Sequence, residues 1–475
     1  MNTMSNLAIL GGRVIDPAQN VDRPAAVLIK DGRVEEITAR PLSKAPEGYE
    51  VIDAAGLIVA PGFIDLHCHL REPGSEHKET IATGTAAAAR GGFTTVCAMA
   101  NTDPCPDNAA VVGDLLRRIE RDAAVRVLPI GAITLGRRGE HLAPMAELAA
   151  SGVVAFSDDG DPVMDPDVMR YALSYATGLR GVVHGAQRRL PIINHAEDRG
   201  LSRDGQMHEG AVAARLGLAG IPGEAEVAMV ARDIHLAELT GGRLHIPHVS
   251  TRRAVEHVRA AKARGLHVTA EATPHHLTLT DVWAYGLHGE TQDALSLAAY
   301  DTNTKVSPPL RSQDDVDAVA GALADGTIDA IATDHAPHAM TDKVCTYHEA
   351  AKGINCLETA FAQVMSLVLG GRIALPALIE RMSAAPARVL GLELGSLKRG
   401  WPADLVFIAH DAEWTVDAGL FASKARNTPL DGVGLRGRVM ATICAGRVVF
   451  DARAGLALPR PGNPRRAGDS SGGRA

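Results

Sequence analysis

Eight apolar runs of strand length recur through the middle of this 475-residue chain, at 63–69, 94–101, 125–134, 153–159, 191–195, 244–250, 268–273 and 328–334. Between them, stretches such as 79–90, 166–177, 224–239, 252–264 and 313–324 have the length and composition of helices. Parallel strands can be joined only through long crossovers, and helices are the usual ones, so this alternation predicts an α/β fold with a parallel sheet. Eight repeats predict a (β/α)8 TIM-like barrel. A doubly wound sheet is the weaker reading, because no Gly-x-Gly-x-x-Gly turn follows the first run.

The two ends of the chain read differently. Short β-rich segments fill the first sixty residues, including 27–30 and 33–37 joined through Asp31-Gly32, a strong hairpin signal. Similar sequence returns at 403–408 and 440–450, with Ala445-Gly446 as a turn. We expect these halves to complete one small β-sandwich, since chain termini commonly lie close together. The expected organisation is 1–60 and 396–456 as the two parts of the sandwich, 61–395 as the barrel, and 457–475 as a disordered tail rich in Pro, Gly, Arg and Ser.

Composition narrows the function. Net charge is −8, and there are only seven Phe, three Trp and six Tyr, so neither a phosphate-binding footprint nor a stacking platform for nucleic acid is expected. Six scattered cysteines without a Cys-x-x-Cys pair predict reduced thiols in a cytoplasmic protein. No secretory h-region and no run of about 18 apolar residues is present, so no membrane association is expected.

In barrel enzymes the chemistry sits at the strand ends. The first run ends in His67-Cys68-His69-Leu70-Arg71, where a two-residue period puts His67, His69 and Arg71 on one face. Later runs end in Ser157-Asp158-Asp159-Gly160, Asn194-His195-Ala196-Glu197, His248-Val249-Ser250 and Thr333-Asp334-His335-Ala336-Pro337-His338. A single histidine or an Asp-Asp-Gly turn means little alone. Gathering so many ionisable groups in one barrel mouth is costly without a cation to compensate them. Imidazole and carboxylate ligands without thiolate suit Zn2+, Mn2+, Co2+ or Fe2+. More ligands than one tetrahedral ion uses favours two ions, about 3.5–4 Å apart, sharing a bridging hydroxide.

The chain resembles the cyclic amidohydrolases and, within them, the class I dihydroorotases, along essentially its whole length. The matching segments are 61–74, from Pro61-Gly62-Phe63 to Glu72-Pro73-Gly74, then Lys78-Glu79-Thr80, Gly91-Gly92-Phe93-Thr94-Thr95, Asn101-Thr102-Asp103-Pro104, Asp158-Asp159-Gly160, Ser307-Pro308-Pro309-Leu310-Arg311 and Asp334-His335-Ala336-Pro337-His338. The resemblance implies that His67, His69 and Asp334 bind one metal, that His195 and His248 bind the other, and that Asp159 bridges both. It implies one or two Zn2+ per subunit, two being favoured, and Asp334 as the catalytic proton carrier. It further implies substrate contacts from His69, Arg71, Asn101, Ser307, His338, Lys352 and Gly353, and reversible cyclisation of N-carbamoyl-L-aspartate to L-dihydroorotate. A homo-oligomer and a complex with aspartate transcarbamoylase are left open.

Departures from the family pattern are Ala100, Ser307, Asn355-Cys356 and extra residues at 178–189; no metal ligand is among them. Two rival readings stand beside this one. Another ring amidase, acting on hydantoins, dihydropyrimidines or allantoin, would resemble the pattern with a carboxylated lysine as bridge, yet no lysine lies between Lys78 and Lys262. A non-catalytic scaffold for transcarbamoylase would be expected to have lost ligands.

Overall fold

The structure is a computed structural model that describes residues 6–183 and 186–454. The expected tail at 457–475 lies outside the described residues.

All eight runs contain a strand, shorter than the apolar run itself. Arg126–Pro129, Phe93–Ala98 and Phe63–Cys68 pair in parallel in that order. Phe156–Ser157, Ile192–Ile193, Leu244–Ile246, Val268–Ala272 and Ala330–Ile331 form a second parallel series. Two further parallel bridges, Gly131 with Phe156 and Cys68 with His335, join the series at both ends. The intervening helices Ile81–Arg90, Pro166–Gly178, Glu224–Thr240, Arg252–Ala263 and Gln313–Asp325 match the helical stretches within two residues at each end. Their starts have local causes: Thr80, Asp165, Thr251 and Ser312 each accept a first-turn N–H through a side-chain oxygen.

Both chain ends contribute to one six-stranded sheet, in the order Arg447–Asp451, Gly434–Cys444, Leu405–Thr415, Ile58–Pro61, Arg13–Asp16, Val21–Pro24. The Asp31-Gly32 hairpin forms as expected, both residues having positive φ (49° and 74°), inside a four-stranded sheet with Asn6–Leu10 and Tyr49–Asp53. The six-stranded sheet is apolar on both faces. Val14, Val59, Leu405, Phe407 and Ile443 share a cluster with Leu7, Ile9, Val27 and Ile29 of the smaller sheet. Their alternates Ile15, Ile58, Ala60, Val406 and Ile408 pack with Phe63, Phe93 and Phe361 of the α/β part. Full burial of one such side chain is worth about 1.5–3 kcal/mol. The extra residues at 178–189 contain a small hairpin, Gly181–Val183 against Ala186–Arg188.

Candidate active site

Strand ends, and the first residues beyond them, deliver the ligands to one point. The Asp159 carboxylate is the centre. Its Oδ1 lies 3.3 Å from His67 Nε2, 3.5 Å from His195 Nδ1 and 3.6 Å from His248 Nε2, and its Oδ2 lies 3.5 Å from His69 Nε2. Asp334 Oδ1 stands 3.0 Å from His69 Nε2 and 3.5 Å from His67 Nε2. His195 Nδ1 and His248 Nε2 are 3.0 Å apart. All six side chains are buried.

The adjacent Asp158 turns the other way, accepting the Ile133 and Thr134 amides at 2.8 and 3.1 Å and the Thr134 hydroxyl. The Asp158-Asp159-Gly160 segment is therefore both loop anchor and site. Backbone strain is concentrated here as well: Arg71, His248 and Asp334 have φ of 59°, 34° and 46°, a region non-glycine residues occupy at a cost of about 1–3 kcal/mol each.

The donor set fits divalent cations. His67 Nε2 and Asp159 Oδ1 are buried without a hydrogen-bond partner, and two triads, His67–Asp159–His248 and His67–His69–Asp334, bring their ligand atoms within 4.8 Å of one another. Burial alone would raise the Asp159 pKa, but the His67, His195 and His248 imidazoles outweigh it and hold the carboxyl well below the usual range. Three of the four imidazoles also have an oxygen behind the nitrogen that faces away from the cluster. His67 Nδ1 meets Glu271 Oε1 at 3.0 Å, His69 Nδ1 meets Asn101 Oδ1 at 2.9 Å, and His195 Nε2 meets Glu197 Oε2 at 3.3 Å. Each contact fixes which nitrogen carries the proton and leaves the other free to ligate. Glu271 is itself shared, its Oε2 lying 3.0 Å from His245 Nε2.

The cluster opens into a cavity of about 540 Å³ lined by His69, Arg71, Asn101, Ser307, His338, Lys352 and Gly353 among others, so every residue expected to touch substrate reaches it. Arg71 arrives by a different route from the one expected. The strand ends at Cys68, so strand alternation does not govern Arg71; a left-handed residue in the following loop carries it in, and its Nε donates to the Pro337 carbonyl at 3.2 Å. His338 Nε2 donates to the Lys352 carbonyl at 3.0 Å. Burial and the nearby Arg71 charge push the His338 pKa down to about 3, so the ring is neutral. Among the departures, Asn355 donates to Ser423 Oγ and the Ala425 carbonyl, and Cys356 Sγ to the Thr333 carbonyl.

With this geometry established, similarity to known proteins assigns the family. A Dihydro-orotase-like family profile matches residues 56–254. A protein named Dihydroorotase from Anaeromyxobacter dehalogenans (strain 2CP-C) is 51% identical over 445 residues, covering 94% of this chain and 98% of that one. The chain belongs to the dihydroorotase family. A second dihydroorotase, from Geobacter metallireducens, is 48% identical over 445 residues, covering 94% of this chain and 99% of that one. The fold is shared more widely. An L-hydantoinase (dihydropyrimidinase) from Arthrobacter aurescens superposes with a TM-score of 0.81 at 24% identity, over 94% of this chain and 97% of that one. A dihydropyrimidinase from Brevibacillus agri NCHU1002 gives 0.79 at 22% identity, over 94% and 95%.

The chain is thus an enzyme of the dihydroorotase type, and no helix among its described residues is long and apolar enough to cross a membrane. Three site residues of this dihydroorotase-family chain escape the reading of its sequence. Glu271 and His245 sit inside apolar runs, where a polar side chain between Ala270 and Ala272, or between Leu244 and Ile246, was the available signal. Asn427, whose amide meets the Ala336 and Gly353 carbonyls, lies far along the chain and had none.

Proposed function

We propose that this protein is a class I dihydroorotase that interconverts N-carbamoyl-L-aspartate and L-dihydroorotate in pyrimidine synthesis. The observation that carries the reading is the Asp159 carboxylate within 3.3–3.6 Å of four imidazoles, at the floor of the cavity that also holds Arg71, Asn101 and His338. A closed (β/α)8 barrel over 61–395, with a two-part β-sandwich from 1–60 and 396–456, belongs to the same reading and is supported by the two linking bridges and the sheet shared by both chain ends. Cytoplasmic placement follows from it; a homo-oligomer and a transcarbamoylase complex stay as expectations of the resemblance.

His67, His69 and Asp334 would hold one cation, His195 and His248 the other, and Asp159 both. Zn2+ ions bound there supply Lewis-acid polarisation of the ring amide and ionisation of water near neutral pH. Arg71 presents a planar fork that pairs with the substrate carboxylate, a match an ammonium would not reproduce. Asn101, its Oδ1 taken by His69, turns its amide N–H groups toward substrate oxygens. The His338 ring, fixed by its Nε2 donation to the Lys352 carbonyl, lines the cavity beside Arg71. In the hydrolytic direction Asp334 takes a proton from the attacking water at its carboxylate and delivers it to the leaving ring nitrogen; cyclisation runs the transfer backwards.

The test is the purified protein with L-dihydroorotate, followed by ultraviolet absorbance together with metal analysis, alongside hydantoin and dihydrouracil. Dihydroorotate hydrolysis well above that of the other two rings is expected. Preference for hydantoin or dihydrouracil would replace this reading with another ring amidase, and no activity in metal-replete protein would favour a scaffold.

A further inference from the structure

The stretch 416–433 joins the long strands Leu405–Thr415 and Gly434–Cys444 and reaches away from the six-stranded sheet to the cavity wall. Asn427 within it is buried, and its amide is fully engaged. Nδ2 donates to the Ala336 and Gly353 carbonyls, both at 3.0 Å, and Oδ1 accepts the His338 amide at 3.0 Å. Its own carbonyl accepts the Asn355 amide at 2.8 Å. Ala336 and His338 belong to the loop after the last parallel strand, Gly353 to a separate loop, and all three line the cavity.

The spacing between those loops is tight. A Cβ on Gly353, whose φ is 152°, would lie 2.7 Å from the Ala336 methyl and 3.0 Å from the His338 ring. The same stretch is anchored on its other side: Glu79 accepts the Lys424 amide at 3.2 Å and the Ser423 hydroxyl, and Glu358 accepts the Ala422 amide at 2.8 Å. A planar amide held this way sets the separation of two loops in three directions at once.

We propose that Asn427 is a positioning residue for substrate recognition, holding the His338 loop and the Lys352-Gly353 loop at the distance that lets both meet the ring. This rests on the reading of those two loops as substrate contacts. Without the amide, two buried carbonyls and one N–H lose their partners, and the loops must shift to find others.

The experiment compares wild type with Asn427→Ala and the same-sized Asn427→Asp, which keeps the acceptor for His338 but not the two donors. We expect KM for L-dihydroorotate to rise about tenfold in both, with kcat less affected and metal content retained. In Asn427→Ala the His338 amide also exchanges its hydrogen faster. A merely structural role would lower the folded fraction and leave KM unchanged; that result, or unaltered exchange at His338, overturns the proposal. If Asn427→Ala does not fold, Asn427→Asp carries the KM comparison. Failure of wild type to act on L-dihydroorotate would defeat the functional reading instead, and exchange, which needs no substrate, would then decide the clamp alone.

Discussion

Asn101 Oδ1 lies 2.9 Å from His69 Nδ1, so one amide both holds the His69 ring and lines the cavity. The two duties can be separated. Asn101→Asp keeps the oxygen behind His69 but loses the N–H groups; metal content should hold while KM rises. Asn101→Ala loses both, and metal affinity should fall about tenfold or more, the usual cost of removing a ligand's hydrogen-bond partner. Metal analysis after dialysis against a graded chelator, with steady-state kinetics, checks the pair. Equal metal retention in the two variants would remove Asn101 from the metal's support.

Asp159 spans the imidazoles with an unmodified carboxylate. Metal-stripped protein should therefore regain activity with Zn2+ at the same rate with or without bicarbonate, because no lysine carbamate has to form. Asp159→Ala should lose at least one ion and nearly all turnover, since two cations without a shared anion repel each other. A bicarbonate requirement, or full metal and activity in the alanine variant, contradicts the bridge.

In the proposed reading Asp334 is both a metal ligand and the proton carrier. Asp334→Asn retains an oxygen that can coordinate but cannot carry a proton, so most metal should stay while kcat falls by about 10²–10⁴. Substantial turnover in that variant would transfer the role to another group lining the cavity, such as His338.

Glu358 gives a pH dependence away from the metal cluster. Burial raises its pKa from 4.5 to about 7, against the opposing pull of Arg90 Nε at 3.1 Å and the Ala422 and Ser423 amides. A carboxyl with a raised folded-state pKa binds more protons folded than unfolded between those two values, so its contribution to stability declines as pH rises from 4.5 to 7. Glu358→Gln keeps the acceptor for the two amides and removes the titration. Relative to wild type it should gain roughly 1–3 kcal/mol between pH 5 and pH 8 in denaturant melts. An unchanged difference across that range would refute the assignment.

How much of this was legible in the sequence depends on how each residue enters the site. The clustered residues at the ends of apolar runs were readable because a strand must stop where it reaches solvent, and the polar residues beginning there are what the mouth presents: Asp159 follows Phe156–Ser157, and His195 follows Ile192–Ile193. Arg71 was placed in the right cavity by the wrong geometry, because strand alternation ends with the ladder at Cys68 and a left-handed turn is not readable from neighbouring residues. Glu271 and His245 lie in the middle of apolar runs, away from the strand ends where site residues were sought, and pair with each other and with His67 only in the folded structure. Asn427 was beyond reach: the partners of its side-chain amide are 74 to 91 residues away, and no local pattern encodes a contact of that span.

The stitching of Ser423 and Lys424 to Glu79 has a consequence for how the molecule is made. Glu79 follows the first strand of the parallel series, yet the Ser423 hydroxyl it accepts is 344 residues later; Asp16 likewise waits for Ser396, 380 residues on. A nascent chain on the ribosome can gather the His67, His69, Asp159 and Asp334 cluster once Asp334 has emerged, but the Asn427 contacts behind the loops of Ala336, His338 and Gly353 wait until nearly the whole polypeptide is synthesised. Contacts of that separation carry the largest loop-closure entropy and form late. The brace behind the cavity loops is thus among the last parts of the growing chain to form.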